Sequence, residues 1–250
     1  MVNIALVGYG QMGKIIEETA IKRGHKITVI VDPFCATAKK EIVAEDFKDV
    51  DVVIDFTHPS VAVQNIKKYC ELRKNAVMGT TGWYQEMDNV KKMVKDSGIG
   101  FIWSGNFSIG VNMFFRMVRE SSRIVNKVPD YDPYVVEFHH NIKADSPSGT
   151  AHMIADIMLE EIDRKDKIVD EKLDRKILPN ELHVASVRGG SVPGTHIVGF
   201  DSSFDTIELK HVARSRHGFA TGAVMAAEFV NGKKGFFDID NMMDDIISRK

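Results

Sequence analysis

Ile4-Ala5-Leu6-Val7-Gly8-Tyr9-Gly10-Gln11-Met12-Gly13 is the stretch that decides the fold. A short apolar run reads as a buried strand and stops at a glycine cluster. A helical pattern follows, with Ile15, Ile16, Thr19 and Ala20 on one face and Gly24 as its C-cap. Ile27 to Val31 then reads as a second buried strand that closes on Asp32, 24 residues after Gly8. Strand, glycine turn, helix and strand within about 30 residues make a βαβ unit, because parallel strands require a crossover. G-x-G-x-x-G in that setting predicts a tight turn at Gly8, close approach of a pyrophosphate at Gly10 and close helix–strand packing at Gly13. The phosphates would rest on the helix N-terminus, where free N–H groups and the dipole favour an anion.

The alternation continues outward from this unit. Val50 to Phe56, Ala76 to Met78 and Ile99 to Trp103 read as strands, with helices from about Ser60 to Leu72 and Gln85 to Asp96. This predicts a doubly wound, Rossmann-type parallel sheet. The pattern changes after about residue 107. Helices are predicted over Val111–Val125 and Ala151–Ile162, the second with Met153, Ile154, Ile157, Met158 and Ile162 on its apolar face. Strands are predicted over Tyr134–His140, Leu182–Arg188, His196–Asp201 and Thr206–His211, and a last helix over Gly218–Val230. The expected architecture is therefore α/β, with a second α+β domain of mixed or antiparallel sheet. The dinucleotide-binding domain would be residues 1–107 plus 218–250, and the second domain 108–217.

Composition narrows the functional classes. The 250 residues are 44% hydrophobic and 27% charged, ordinary values for a globular chain. Lys and Arg number 33 against 35 Asp and Glu, a net charge of −2, so no nucleic-acid partner is expected. The longest uncharged stretch, Ser97 to Phe115, has 19 residues and includes four Gly, three Ser and two Asn, too polar for a bilayer. No basic signal-peptide region precedes the first strand. Cys35 and Cys70 form no C-x-x-C pair, and a reducing, cytoplasmic location is expected, with no membrane partner.

Asp32 can accept hydrogen bonds from the adenosine ribose hydroxyls and repel a 2′-phosphate. Pro33 and Phe34 follow it, so no adjacent arginine serves NADPH, although Lys39 or Lys40 can reach back. NADH is therefore the preferred cofactor expected, with NADPH possible. Asp55-Phe56-Thr57-His58-Pro59 and Gly79-Thr80-Thr81-Gly82 lie at predicted strand C-termini, where open α/β sheets bind ligands.

The densest chemistry runs from Glu137 to Thr150, EFHHNIKADSPSGT. Two histidines and a lysine leave a strand and precede a Pro-Ser-Gly-Thr turn that opens directly into a helix. Ser148 or Thr150 can cap that helix, and the Gly149 and Thr150 amides then form a nest for a carboxylate. Lys143 supplies charge for an anionic substrate or a proton, and His139 is an acid near neutral pH. No metal is expected, since no Cys or carboxylate is read at a ligand spacing beside His139-His140 and adjacent strand residues point to opposite faces.

Taken together, GYGQMG, DFT, GTTG, SGNFSIGVN, VEFHHNIKADSPSGTA and SVRGG…HIVGF…ELKHVARSRHGFATGA resemble the 4-hydroxy-tetrahydrodipicolinate reductase family over nearly the whole chain. The resemblance implies reduction of that substrate with NAD(P)H in lysine and diaminopimelate biosynthesis. It implies a proton donor/acceptor role for His139 and a proton donor role for Lys143. It places His140 and the Gly149-Thr150 amides on the carboxylates of a small dicarboxylate substrate. It puts the cofactor on Gly8, Tyr9, Gly10, Gln11, Met12 and Gly13, on Asp32, on Gly79, Thr80 and Thr81, and on Ser104, Gly105, Asn106 and Phe107. It also implies a homotetramer built through the second domain's sheet. Three departures stand out. The glycine loop is one residue shorter than the family's commoner form, no basic residue follows Asp32, and Thr195 stands where the family usually has Glu. The competing readings are another Rossmann dehydrogenase acting on an amino-acid-derived substrate, and a non-catalytic NAD-sensing regulator. The regulator reading leaves the His-His-Lys cluster unexplained and has no visible output element.

Overall fold

A computed structural model describes residues 1–248 as two compact units. The first comprises Met1–Asn112 and the segment from Arg216 onward; the second is Met113–Ser215. In the first unit the chain runs β1 (Asn3–Val7), α1 (Gln11–Lys22), β2 (Lys26–Val31), β3 (Val52–Asp55), α2 (Pro59–Glu71), β4 (Asn75–Met78), α3 (Met87–Ser97) and β5 (Gly100–Trp103). The division between the units falls inside α4 (Ile109–Asn126). The second unit holds β6 (Asp132–His139), α5 (Gly149–Glu161), β7 (Lys167–Val169), β8 (Glu181–Arg188), β9 (Thr195–Asp201) and β10 (Thr206–Val212). The chain then returns to the first unit as α6 (His217–Val230), β11 (Gly235–Asp238) and α7 (Ile239–Ser248).

The first sheet is wholly parallel, in the order β11-β5-β4-β3-β1-β2. Successive residues of a strand face opposite sides, so both faces must be covered. Ile4, Leu6, Ile54 and Ile102 pack with Ile16 of α1 and Ala223 and Ala227 of α6; Ala5, Val7, Val53 and Met78 pack with Ile66 of α2 and Val90 of α3. The chain reverses direction across the sheet between β1 and β3, the switch point at which such sheets open a ligand crevice.

The second sheet is mixed, in the order β10-β9-β6-β8-β7. β8 runs parallel to both β6 and β7, whereas β9 is antiparallel to β6 and β10. Along β6 the pattern alternates: Pro133, Val135, Glu137 and His139 are buried, and Tyr134, Val136 and Phe138 half-buried. Met153, read above as part of α5's apolar face, is about half exposed. β7, β11 and α7 were not anticipated from the sequence. β7 has only three residues, and β11 is a four-residue edge strand whose place beside β5 depends on a partner 135 positions earlier.

Candidate active site

The glycine loop takes its form from contacts that a side chain would forbid. Gly8 sits at φ +89°, its N–H donates to the Val31 carbonyl at 2.9 Å, and a Cβ there would lie 2.2 Å from the Phe56 carbonyl oxygen. A Cβ on Gly13 would lie 2.4 Å from the Gly8 carbonyl oxygen, so α1 presses directly on the turn. Gly10 differs: a Cβ there would meet nothing within 4 Å. Open space at Gly10 is what close approach of a ligand needs. Gly10 is also the N-cap of α1, no side chain caps that end, and its first turn carries no acid. Uncapped N–H groups and the positive dipole end therefore face a cleft of about 360 Å³ that includes Gln11, Met12, Phe56, Thr57 and Thr80 in its walls. These residues fit a dinucleotide.

Asp32 follows β2 and is tied to the glycine loop through Tyr9. Its carboxylate accepts the N–H groups of Tyr9 (2.7 Å), Phe34 (2.7 Å) and Cys35 (3.1 Å). Burial raises its pKa, but these backbone donors and Lys40 outweigh that and hold the group below the ordinary range. The two lysines considered for a 2′-phosphate separate. Lys39 pairs with Asp46 at 2.9 Å, while the Lys40 ammonium donates to the carbonyls of Pro33 and Cys35.

At the ends of β3 and β4, Asp55 turns inward rather than toward ligand. Fully buried, it accepts the Tyr69 hydroxyl (2.7 Å), Asn65 Nδ2 (3.0 Å), the Thr80 hydroxyl (3.0 Å), and both the N–H (3.1 Å) and the hydroxyl (2.7 Å) of Thr57. Thr80 in turn accepts the Thr57 N–H, so its side chain braces the two loops and leaves Gly79, Thr81 and its own backbone to line the cleft. The Ser104–Phe107 loop is knit by Ser104 Oγ, which donates to the Asn106 carbonyl and accepts the Asn106 N–H. Gly222 of α6 permits this, since a Cβ there would fall 1.6 Å from the Phe107 carbonyl oxygen. Arg216 Nη1 donates to Gln11 Oε1 beside the α1 N-terminus.

The other candidates gather in the second unit, around the end of β6 and the start of α5. The chain turns at Asn141-Ile142, and Lys143 N–H donates to the His140 carbonyl at 3.2 Å. The Lys143 ammonium pairs with Asp145 at 2.6 Å. Ser148 is the N-cap of α5, accepting the Ala151 N–H at 3.2 Å, which places Gly149 and Thr150 in the first turn, where amides have no partner within the helix, and the Gly149 backbone meets the Asp145 carboxylate. His139 is almost fully buried, with Gly194 so near that a Cβ there would lie 3.0 Å from His139 Nε2. His140 follows on the opposite face and is half-buried.

The sequence reading missed Glu137. It stands two residues before His139 and so shares its face of β6, which corrects the expectation that no carboxylate lies beside the histidine pair. His139 Nδ1 lies 3.2 Å from Glu137 Oε2 without the alignment of a hydrogen bond, and His196 Nε2 lies 3.5 Å from the same oxygen. Ligand atoms of Glu137, His139 and His196 fall within 4.8 Å of one another. The carboxylate, however, already accepts donors from Ser148, Ser186 and Arg188, and the guanidinium at 2.7 Å opposes a divalent cation. That donor set fits a hydrogen-bonded anion. Burial would raise the Glu137 pKa, but hydrogen bonds from His196, Ser148 and Arg188 outweigh it and hold the group well below the carboxylate range. Burial pushes His139 down, opposed by Glu137 and reinforced by His196, Lys143 and Arg188. The signal for Glu137 was available in its alternation with His139 along β6.

Comparison with known proteins follows from this geometry. Residues 2–107 match the family model "Dihydrodipicolinate reductase, N-terminus" and residues 110–243 match "Dihydrodipicolinate reductase, C-terminus". A 4-hydroxy-tetrahydrodipicolinate reductase from Christiangramia forsetii is 39% identical over 98% of both chains. Another from Methanosarcina barkeri is 33% identical over 97% of this chain and 99% of its own. Among solved structures, a dipicolinate-bound dihydrodipicolinate reductase from Paenisporosarcina sp. TG-14 superposes with a TM-score of 0.80, covering 96% of this chain and 99% of that one. At 20% identity this last likeness bears on the fold.

Proposed function

The chain belongs to the dihydrodipicolinate reductase family, and from that premise we propose how its residues divide the work of the reaction. The activity is reduction of 4-hydroxy-tetrahydrodipicolinate, the reductase step of lysine and diaminopimelate biosynthesis, with a nicotinamide cofactor. When bound, that cofactor supplies the hydride.

In this reading residues 1–107 and 218–250 hold the dinucleotide. The Gly8–Gly13 loop takes the pyrophosphate, Asp32 the adenosine ribose, and the Gly79–Thr81 and Ser104–Phe107 loops the nicotinamide end. Residues 108–217 hold the substrate. The Gly149 and Thr150 amides and His140 receive its carboxylates, and dipicolinate, the ligand of the Paenisporosarcina structure, is a dicarboxylate of that kind. Lys143 delivers the proton that must follow the hydride, and His139, with its pKa lowered, exchanges it. The observation that carries this reading is the capped turn at Ser148 opening α5 beside His139 and Lys143. A coupled assay supplying the product of dihydrodipicolinate synthase and following NADH or NADPH loss at 340 nm tests it; no loss of either above background would remove it.

NADH is the preferred cofactor in this proposal. Asp32 is held ionised by three N–H groups and Lys39 is committed to Asp46. We expect kcat/KM to be higher for NADH than for NADPH. A tenfold preference for NADPH would show that another cation receives the 2′-phosphate.

The open face of the second sheet supports a homotetramer. Val136 and Phe138 of β6 stand level with Ala185 and Val187 of β8, and Thr195, the departure noted above, lies on the same face between Phe138 and Val212. Val187 and Val212 are 46% and 51% exposed in the single chain. An apolar sheet face of this kind marks an interface. Light scattering should give four times the 28.0 kDa chain mass, and Val187→Asp should lower it. A mass of one chain for the wild type would end the tetramer reading. No described helix is long and apolar enough to cross a membrane, and a cytoplasmic location fits the pathway step.

A further inference from the structure

We propose that Glu137 is the positioning residue of the acid end. One ionised carboxylate sets the substrate-binding turn, the protonation of His139 and, through Arg188, the loop that carries Lys143. The inference rests on the roles given above to those three elements.

Glu137 is fully buried, and both of its oxygens meet residues of the site. Oε1 accepts the Ser148 N–H at 2.9 Å, the Ser186 hydroxyl at 2.9 Å and Arg188 Nη2 at 2.7 Å. Oε2 accepts the Ser148 hydroxyl and has His139 Nδ1 at 3.2 Å and His196 Nε2 at 3.5 Å. Ser148 therefore receives two anchors from one carboxylate while its own oxygen caps α5, so the orientation of the Gly149 and Thr150 amides depends on Glu137. The same Arg188 Nη2 donates to the Asp145 carbonyl at 2.6 Å, and the Asp145 carboxylate pairs with Lys143. A buried ion pair is weak evidence for stability as such, since replacement by apolar groups is often neutral. Placing it among three binding and proton-transfer elements gives it a functional reason. The charged and titratable groups that face His139 are Glu137 on its own strand, His196 on β9, Arg188 on β8 and Lys143 beyond the turn. Glu137 alone among them favours imidazolium.

Three variants separate this role from packing. Glu137→Gln keeps the shape and one acceptor but removes the charge. The His139 midpoint, read by nitrogen NMR of labelled histidine, should then fall by about one unit, the smaller end of the effect of a nearby opposite charge. Its substrate KM should rise by about tenfold, as expected when a hydrogen bond to a charged group is weakened. Glu137→Asp keeps the charge but withdraws it from Ser148, so the His139 midpoint should return toward wild type while the substrate KM stays high. Arg188→Lys keeps a cation but ends short of the position from which Nη2 serves both Glu137 and the Asp145 carbonyl, and should raise the substrate KM with the Glu137 charge intact. A His139 midpoint unmoved in Glu137→Gln overturns the proposal, even if activity is lost, because that is the result of a purely structural carboxylate. Activity lost on dialysis against a chelator and restored by a divalent metal would also overturn it, in favour of a cation held by Glu137, His139 and His196. The NMR midpoint does not depend on catalysis, so an active His139→Gln enzyme would refute the acid assignment without touching this result.

Discussion

Lys143→Ala and His139→Gln are each expected to lower kcat by at least about 10²-fold, the loss typical of removing general acid catalysis. Loss of the substrate's 4-hydroxyl as water leaves a carbon conjugated to an imine; hydride addition there places negative charge on carbon and nitrogen, and a proton has to follow. Lys143 stands at the end of a turn closed by its own N–H on the His140 carbonyl, with Asp145 holding its ammonium. His139 is kept largely neutral at pH 7 by burial and by the cations around it. A neutral imidazole beside an ammonium suits a division in which lysine donates and histidine returns the proton from solvent. Because both serve one proton transfer, the double variant should lose much less than the product of the single losses. Equilibrium binding of NADH, for which we propose residues of the first unit, should change little in either variant. More than about a third of wild-type kcat in either one would reduce that residue to binding or structure.

Asp55→Ala should be the most damaging single substitution for stability. The carboxylate accepts five hydrogen bonds from four residues, and its removal takes that acceptor from the buried Tyr69 and Thr80 hydroxyls and from the half-buried Asn65 and Thr57. Stranding several buried donors costs about 1–3 kcal/mol each, so a loss of roughly 4 kcal/mol or more follows, about 10 °C in Tm. Asp55→Asn keeps a carbonyl oxygen but brings two donors into a ring of donors, and should lose about half as much. The cofactor should bind less tightly in both variants, because Thr57 and Thr80 flank the cleft and are held by this one group. A Tm within about 2 °C of wild type for Asp55→Ala would mean that the loops are held by something other than Asp55.

Asp55 also shows what the sequence leaves open, since its loop does line the cleft through Phe56, Thr57 and Pro59. A polar loop at the end of a strand looks like a ligand contact, and Asp55-Phe56-Thr57 had that look. Which way a short acidic side chain turns depends on whether donors await it inside. Tyr69 and Asn65, on the helix that follows, supply them. Lys39 and Lys40 are adjacent and equivalent as letters, yet one is drawn to Asp46 and the other to two carbonyls of the loop after β2.

Local signals determined much of this protein. Apolar runs, glycine spacing and Asp32 after the second strand identify the parallel sheet and its glycine loop, because the backbone constraints at Gly8 and Gly13 act over a few residues. The His139–Thr150 segment was likewise legible, since a strand end, a turn and a helix cap are neighbours in the chain. Only the tertiary structure decided the order of strands, the pairing of β11 with β5, and the convergence on Glu137. That carboxylate meets Ser148, Ser186, Arg188 and His196 from positions 11 to 59 residues away. Contacts of that separation are chosen by burial and by the satisfaction of polar groups in the packed interior, and no local pattern of residues encodes them.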